Sequence, residues 1–274
     1  MDLQTLLKQA IKASIIAGKA VMYYYNTSFE IEYKADQSPL TSADNASHEA
    51  IISVLSFSDI PILSEEGKNI PFEVRKEWDF FWLVDPLDGT KEFINHNGEF
   101  TINIALVNKG QPVMGIIYLP VNNVLYFGSQ TEGAYRKSMI DDSDLSDSKI
   151  IDIIADAERL PLFTERPVTI LGSRSHQTTE NIEFINKIST HFKPIDLINA
   201  GSSLKFCRIA EGAADIYPRL GPTMEWDTAA GHAICKASGV KVLKYNTKDE
   251  IVYNKSNLLN PWFVAVSPDF EQYI

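Results

Sequence analysis

Apolar residues near the N-terminus of the chain recur at helical spacing. The positions that share one face are Leu3, Leu6, Leu7, Ala10, Ile11, Ile15, Val21 and Met22. This pattern is typical of an amphipathic helix with one buried face, so we predict a helix over residues 2–25. A second helix is predicted from about Ala43 to Leu55, with Thr41 or Ser42 as its N-cap, because hydroxyl side chains accept hydrogen bonds from first-turn amides.

Two short apolar runs end in carboxylates. Phe80–Val84 is a continuous run, which indicates a buried strand. Asp85 is the first charge after it, and Pro86 cannot donate to a sheet ladder, so we predict that the strand ends there. Residues 61–63 form a similar run shortly before Glu65. Both runs therefore deliver acidic side chains at strand ends.

The pattern then changes to strict alternation separated by turn residues. The four alternating runs are residues 100–106, 113–119, 124–127 and 133–136. Alternation at this spacing is typical of antiparallel strands joined by hairpins. We therefore predict a meander of antiparallel strands over these runs.

The acidic segment 141–158 carries seven Asp or Glu residues and a single base, Lys149. We interpret it as a solvated, mobile connection, placed at 141–159, between an N-terminal α+β half (1–140) and a C-terminal half (160–274). In that second half, predicted strands alternate with predicted helices: strands near 168–171 and 215–217, helices near 176–188, 201–211 and 226–238. Such alternation is typical of an α/β fold.

Composition narrows the classes of function. The 274 residues are 45% hydrophobic, which is enough for a large core, and the formal net charge is −11. A negative chain is a poor match for binding polymeric nucleic acid, which needs clustered cations. Small anionic substrates stay compatible with it, because a bound metal reverses the local field. Cys207 and Cys235 lie in apolar contexts, which favours buried thiols in a reducing cytoplasm over a disulfide.

No targeting or spanning segment is expected. Asp2 and spaced lysines replace the basic patch and apolar core of a signal peptide. No apolar run approaches the roughly 18 residues that a transmembrane helix needs.

The turn after Val84 places two carboxylates, Asp85 and Asp88, beside Gly89 and Thr90. Carboxylates on a tight turn suit Mg²⁺, which takes one or two of them together with phosphate oxygens. Free amides around a glycine suit an anion, above all where a helix begins. The chemistry indicated is phosphoryl transfer. A plain Asp-Pro-x-Asp-Gly surface turn is the open alternative.

Three further acids adjoin apolar segments, and each has a structural and a functional interpretation. Glu65 ends a strand but could lie in a solvated turn. Asp227 precedes an Ala-rich helix and could be only its N-cap. Asp44 could be only a first-turn acid favoured by the helix dipole. Together they favour function, because lone charges beside buried segments are costly.

The joint pattern resembles a known family. Residues 64–67 (SEEG), 85–90 (DPLDGT) and 225–230 (EWDTAA) are similar to the three signature segments of the inositol monophosphatase-like, lithium-sensitive, metal-dependent phosphatases. Residues 85–93, 97–106, 201–207 and 216–223 further resemble its bacterial 3′(2′),5′-bisphosphate nucleotidase branch, the CysQ type. Lys91-Glu92-Phe93 departs from the Thr-Asn-Phe usual in plain inositol phosphatases. The resemblance is weakest in the acidic segment and around 178–198.

The resemblance implies a layered sugar-phosphatase fold of alternating α and β layers, and a site between the two halves. It implies two to three Mg²⁺ ions held by four carboxylates and one backbone carbonyl, those of Glu65, Asp85, Asp88, Asp227 and Leu87. Thr90, Glu65 and Asp44 would orient the attacking water.

The substrate contacts implied by the resemblance extend beyond the metal ligands. The amides of Gly89 and Thr90 would cradle the reacting phosphate, with Glu65, Leu87, Asp88 and Asp227 around it. The nucleotide and its second phosphate would meet the segment 172–176 with His176, and also Ser203, Lys205 and Arg219. Arg174 and Arg219 could equally form salt bridges, and His176 could simply begin a helix.

The implied activity is hydrolysis of the 3′-phosphate of adenosine 3′,5′-bisphosphate to AMP, and of the sulfated nucleotide as a further substrate. That activity clears a by-product of sulfate assimilation. Two alternatives stay open: an inositol or sugar monophosphatase, and a nucleotide-sensing protein without turnover. The expected location is the cytoplasm, with peripheral attachment to the inner membrane and the oligomeric state left open.

Overall fold

The computed structural model describes residues 2–27, 31–33, 39–162, 165–173 and 178–274. The helices in this part of the chain are α1 (Leu3–Tyr25), α2 (Ser42–Leu55), α3 (Phe72–Arg75), α4 (Thr90–Ile94), α5 (Asp147–Ala155), α6 (Thr179–Ser189), α7 (Leu204–Ala210) and α8 (Ala229–Ala237). The strands are β1 (Ile31–Tyr33), β2 (Pro39–Thr41), β3 (Ile62–Ser64), β4 (Phe80–Asp88), β5 (Thr101–Asn108), β6 (Gln111–Leu119), β7 (Val124–Ser129), β8 (Gly133–Ser138), β9 (Glu158–Arg159), β10 (Val168–Ser173), β11 (Ile195–Ala200), β12 (Ile216–Arg219), β13 (Lys241–Lys244) and β14 (Phe263–Val266).

A seven-stranded sheet runs in the order β3-β4-β5-β6-β7-β8-β9. β3 and β4 are parallel, and each later neighbouring pair is antiparallel. The predicted meander is confirmed, and so are the predicted first and second helices, α1 and α2. Thr41 is the N-cap of α2, as predicted.

A five-stranded sheet holds the later strands in the order β11-β10-β12-β14-β13. β10, β11 and β12 are parallel, as an α/β half requires, whereas β14 and β13 are antiparallel. The α/β prediction is therefore right for part of this sheet. The sequence pattern missed β11, which has four exposed residues in a row, and also β13 and β14.

The layers follow from the alternation of side chains between the two faces of each strand. In β4, Trp82 and Val84 join the core beneath α1 and α2, while Phe81 and Leu83 face the core shared with α7 and α8. This period of two is what a strand buried on both faces produces. α7 and α8 thus lie between the two sheets, and α6 covers the outer face of the second sheet. The alternating α and β layers of the predicted fold are confirmed.

Two local predictions are wrong. The strand does not end at Asp85: β4 continues to Asp88, because a bulge between Asp85 and Asp88 lets pairing with β5 resume beyond Pro86. The acidic segment is also not simply a solvated linker, since it contains α5, whose Ile150 and Ile153 are buried in the core with α1. Their i, i+3 spacing was the signal, and the surrounding acids masked it.

The division of the chain into two halves stays a prediction. In the part of the chain that the structure describes, no helix is both long and apolar enough to cross a membrane. Cys207 and Cys235 are buried free thiols, as predicted.

Candidate metal and phosphate site

Parallel pairing brings the first two acids together. Ser64 of β3 lies beside Val84 of β4 in the parallel register, and the amide of Glu65 donates to the carbonyl of Val84 at 3.1 Å. The carboxyl ends of neighbouring parallel strands lie at one sheet edge, so Glu65 and Asp85 leave the sheet side by side. A carboxylate oxygen of each, together with one of Asp227 from the loop before α8, lies within 4.8 Å of the others.

The bulge in β4 places Asp88. Asp85 is opposite Asn103 and Asp88 is opposite Thr101, so β4 has one residue more than β5 over this stretch. A bulge of this kind bends the strand and redirects its side chains. Asp85 Oδ1 accepts from the amide of Leu87 at 3.0 Å, which closes the turn around Pro86.

Asp88 is also held from the second sheet. Its Oδ2 accepts hydrogen bonds from Ser202 Oγ at 2.6 Å and from the amide of Ser203 at 2.7 Å. Ser203 Oγ lies 2.7 Å from the same oxygen and 2.8 Å from the carbonyl oxygen of Asp227, so its one proton can serve either acceptor. Asn103 Nδ2 donates to Ser203 Oγ at 2.8 Å. Ser203, predicted to bind substrate, thus joins Asp88 to the Asp227 loop.

The electrostatics of the cluster favour a cation. Burial raises the pKa of Asp85 well above its ordinary range, and repulsion from Glu65, Asp88 and Asp227 raises it further. The pKa of Asp227 is raised by burial first and then by repulsion from Asp88 and Glu65. Clustered, mutually repelling carboxylate oxygens, one of them buried and the others half-buried, suit Mg²⁺, which prefers oxygen ligands. The residues present therefore fit the metal that the sequence predicts.

Thr90 and Asp44 meet beside this cluster. Thr90 Oγ1 lies 3.3 Å from Asp44 Oδ1 and 3.4 Å from the carbonyl oxygen of Leu87, so its one proton can be donated to either acceptor. Asp44 Oδ2 accepts from the amide and the hydroxyl of Thr41, at 2.7 and 2.6 Å, as part of the capping box of α2. One oxygen of Asp44 thus serves the capping box while the other contacts Thr90, and the role of Asp44 in orienting water stays a prediction.

Gly89 begins the short helix α4 with a φ of 92°, in the left-handed region. A Cβ at this position would lie 3.4 Å from both the Glu99 carbonyl oxygen and Phe100 Cα, so a side chain would be strained and crowded. The side chain of Leu87 is buried in the core beneath α1 and α2, as predicted. The phosphate cradle of Gly89 and Thr90 stays a prediction.

The residues predicted to select the nucleotide have different surroundings. Lys205 is buried on α7, and its Nζ donates to the carbonyl oxygens of Ala200 and Ser202 at 3.1 and 2.9 Å. Burial lowers the pKa of Lys205 to about 8. Arg219 donates from Nη2 to the carbonyl oxygen of Pro222 at 2.8 Å, and its buried Nε has no partner among the described residues. His176 lies outside the described residues.

Sequence reasoning missed several polar residues of the site. Asn103 lies inside an apolar strand run, where an unexplained amide was the available signal. Ser202 lies in the turn before α7, whose first residues were predicted to be helical. Ser202 has a positive φ of 49° and is therefore not helical, and its side chain donates a hydrogen bond to Asp88. Long-range pairing brings both residues to Asp88, and no local pattern reports it.

Comparison with known proteins agrees with this geometry. Residues 2–267 match the model of the inositol monophosphatase family. Proteins named 3′(2′),5′-bisphosphate nucleotidase CysQ are similar over 262 residues, which is 94% of this chain and 98% of theirs. The Salmonella typhimurium protein is 40% identical, and an Escherichia coli protein is 42% identical.

A solved structure is also similar. The crystal structure of CysQ from Bacteroides thetaiotaomicron, a bacterial member of the inositol monophosphatase family, has a TM-score of 0.87 and 45% sequence identity. The match covers 96% of this chain and 97% of that one. The layered fold and the carboxylate cluster define a metal-dependent phosphatase class. The chain belongs to the inositol monophosphatase family.

Proposed function

We propose that this protein is a Mg²⁺-dependent phosphatase that removes the 3′-phosphate of adenosine 3′,5′-bisphosphate and releases AMP. The observation that carries the proposal is the convergence of Glu65, Asp85 and Asp227 on one point, with Asp88 held beside them. Relatives named CysQ, at 40–42% identity over nearly their whole length, support the choice of substrate.

In this proposal the four carboxylates and the Leu87 carbonyl hold the metal ions, two to three in number. Bound Mg²⁺ would neutralise the dianionic phosphate and acidify a water, which is the help that a slow monoester hydrolysis needs. The chain's own contribution is to present its carboxylates already desolvated and in place, so that little reorganisation accompanies the reaction.

Thr90 and Asp44 are proposed to orient the attacking water. When Thr90 Oγ1 donates its proton to Asp44 Oδ1, its lone pairs are available to accept a hydrogen bond from water. The water oxygen forms a bond to phosphorus and the bond between phosphorus and the 3′-oxygen breaks. One proton of the water ends on the 3′-oxygen and the other stays on the released hydrogen phosphate. The 5′-phosphate takes no part in these steps and is available for recognition.

Arg219 and Lys205 are proposed to recognise the 5′-phosphate, with Ser203 beside them. Arg219 supports this because its buried Nε has no partner in the described part of the chain. A guanidinium with unused donors suits a phosphate oxygen. His176 stays in the proposal on the family resemblance alone.

The proposal is tested by following phosphate release with Mg²⁺ from adenosine 3′,5′-bisphosphate, an inositol monophosphate and fructose bisphosphate in parallel. We expect the nucleotide to be hydrolysed with much the highest kcat/KM. A preference for the inositol or sugar phosphate would replace the proposal with a monophosphatase. Tight binding of the nucleotide without phosphate release would indicate a sensing protein.

A further inference from the structure

Glu65 and Asp227 reach the same point from distant parts of the chain, each on a loop. Glu65 follows β3, and Asp227 precedes α8. A metal site tolerates little error in ligand spacing, so something must fix the two loops relative to each other. A second group of polar side chains does so, with Arg75 and Glu225 buried and Asn254 and Lys255 half-buried.

Glu225 ties the Asp227 loop to residues 254–255. Its carboxylate is fully buried. It accepts from the amide of Asn254 at 2.6 Å, the amide of Lys255 at 3.0 Å and Lys255 Nζ at 2.5 Å. Its carbonyl oxygen accepts from the amides of Thr228 and Ala229, at 3.2 and 3.1 Å, where α8 begins. Asp227 therefore lies in a turn that Glu225 holds at two points. The carbonyl oxygen of Glu225 binds the start of α8, and its carboxylate binds residues 254–255.

Arg75 ties the Glu65 loop to the same residues. It is buried at the end of α3, which directly follows the loop 65–71. Its Nε donates to the carbonyl oxygen of Ile70 at 3.0 Å. Its Nη1 donates to Asn254 Oδ1 at 2.8 Å, and Nη1 and Nη2 reach the carbonyl oxygen of Lys255 at 3.2 and 3.3 Å. Asn254 Nδ2 returns a hydrogen bond to the carbonyl oxygen of Arg75 at 2.7 Å.

Asn254 connects the hydrogen bonds made by Arg75 to those made by Glu225. Its side chain is paired with Arg75 while its amide is paired with Glu225. Its backbone is left-handed, with a φ of 64°, a conformation in which Asn and Gly are the favoured residues. Asn254 thus provides one connection from the Glu65 loop to the Asp227 loop, and Lys255, whose carbonyl oxygen meets Arg75 and whose amide and Nζ meet Glu225, provides a second.

We propose that Arg75, Asn254, Lys255 and Glu225 are positioning residues that set the spacing of Glu65 and Asp227 and so set the metal affinity of the site. None of them is a metal ligand in this account. The inference rests on the proposed metal site and goes beyond it, because it assigns control of metal binding to residues outside the cluster.

The test is Mn²⁺ binding to the folded protein without substrate, followed by the electron paramagnetic resonance signal of free Mn²⁺. Asn254→Gly keeps the left-handed backbone and removes the side chain that meets Arg75. Arg75→Met removes the same side-chain contact with Asn254 by changing the other residue. We expect each variant to weaken Mn²⁺ binding at least tenfold, and the double variant to be no weaker than the weaker single variant, because both break one connection.

Lys241→Met is the matched control, since Lys241 pairs with Glu271 at 2.7 Å on the exposed surface, away from the loops in question. It should bind Mn²⁺ as the wild type does. If Arg75→Met does not fold, Arg75→Lys gives the same comparison, because a lysine cannot span both acceptors at residues 254 and 255.

A lower melting temperature with unchanged Mn²⁺ affinity in the variants would overturn the inference, since that is what a purely structural role predicts. Additive losses in the double variant would also overturn it. A wild type that binds Mn²⁺ but does not hydrolyse the bisphosphate would defeat the proposed function and leave this inference standing. A wild type that binds no Mn²⁺ would defeat the inference together with the metal site.

Discussion

Asp88 is the residue whose two oxygens have the most clearly separate roles. Oδ2 is saturated by Ser202 and Ser203, which leaves Oδ1 for a cation. The sequence could show that Asp88 belongs to a metal-binding turn. It could not show which donors hold the carboxylate, because Ser202 and Ser203 arrive from the other sheet. Local sequence patterns indicate which residues can bind a metal, whereas long-range contacts decide how those residues are oriented.

Asp88→Asn should abolish turnover and leave the fold intact. The asparagine oxygen can still accept from Ser202 and Ser203, but the cluster loses one charge and with it much of its affinity for cations. Without Mg²⁺ the melting temperature should rise, because repulsion with Asp85 and Asp227 is relieved. Phosphate release and circular dichroism check this. A variant with more than a tenth of the wild-type rate, a loss of only about 1.4 kcal/mol, would show that Asp88 is not a ligand.

Arg219→Ala should lower kcat/KM for adenosine 3′,5′-bisphosphate by about one to two orders of magnitude, since a charge-assisted contact to phosphate is worth roughly 1.5 to 3 kcal/mol. Hydrolysis of 3′-AMP, which has no 5′-phosphate, should change far less. Equal losses on both substrates would mean that Arg219 serves the reacting phosphate or the fold.

Lys205→Ala should lower kcat/KM for both adenosine 3′,5′-bisphosphate and 3′-AMP. Lys205 Nζ donates to the carbonyls of Ala200 and Ser202, so it also supports the turn that holds Asp88. We still expect the larger loss with the bisphosphate, by the same order as for Arg219→Ala. Steady-state kinetics on the two substrates measures the difference. A loss confined to 3′-AMP would contradict any role for Lys205 at the 5′-phosphate.

Among the helices and strands, the spacing of hydrophobic residues predicted the element correctly where one face of that element is buried. It predicted α1, α2 and the meander, because their packing follows directly from spacing. It failed at Pro86, where a bulge and not the residue type decides whether pairing continues. It also failed at α5, where two buried isoleucines outweigh a run of acids.

α8 contains a buried histidine that makes stability depend on pH. Burial lowers the pKa of His232 to about 3, and repulsion from Lys236 adds to this effect. The unfolded chain, with a pKa near 6.5, therefore takes up the proton first as pH falls. The stabilising effect of a neutral His232 is complete above pH 6.5 and is lost progressively toward pH 3, at up to about 1.4 kcal/mol per pH unit.

His232→Leu should remove this dependence. Asp85 and Asp227, with raised pKa values, push stability the opposite way as pH falls, but they are present in both proteins. The free energy of unfolding in urea should therefore fall more for the wild type than for His232→Leu between about pH 7 and pH 5, by about 2 kcal/mol. Parallel pH profiles would show that His232 is not buried and neutral.

For the whole molecule, packing of α7 and α8 between the two sheets goes with a carboxylate cluster that joins Glu65 and Asp85 at the edge of the first sheet to Asp227 before α8. The family resemblance predicted this arrangement from three short segments. Residue chemistry alone did not, because Glu65, Asp44 and Asp227 each had an ordinary structural interpretation. In the group of Arg75, Glu225, Asn254 and Lys255, only Glu225 lies in a segment that the sequence singled out. Nothing in the sequence linked it to the other three, since only the fold brings them together.

A site whose carboxylates come from distant parts of the chain should discriminate against the wrong cation. Ca²⁺ is larger than Mg²⁺ and accepts looser, higher coordination, so we expect it to bind the carboxylates and inhibit turnover. Family membership predicts inhibition by Li⁺ as well. Rates with Mg²⁺ in the presence of added Ca²⁺, or of Li⁺ against equal Na⁺, check both. Full activity with Ca²⁺ alone would contradict the rigid geometry proposed here.

The most direct test of the central claim is to identify the product formed from adenosine 3′,5′-bisphosphate by ³¹P NMR, with Mg²⁺ and with a chelator. With Mg²⁺ we expect the 3′-phosphate signal to convert to inorganic phosphate while the 5′-phosphate of AMP persists, and we expect the chelator to stop the conversion. Loss of the 5′-phosphate instead, or equal turnover with the chelator present, would contradict it.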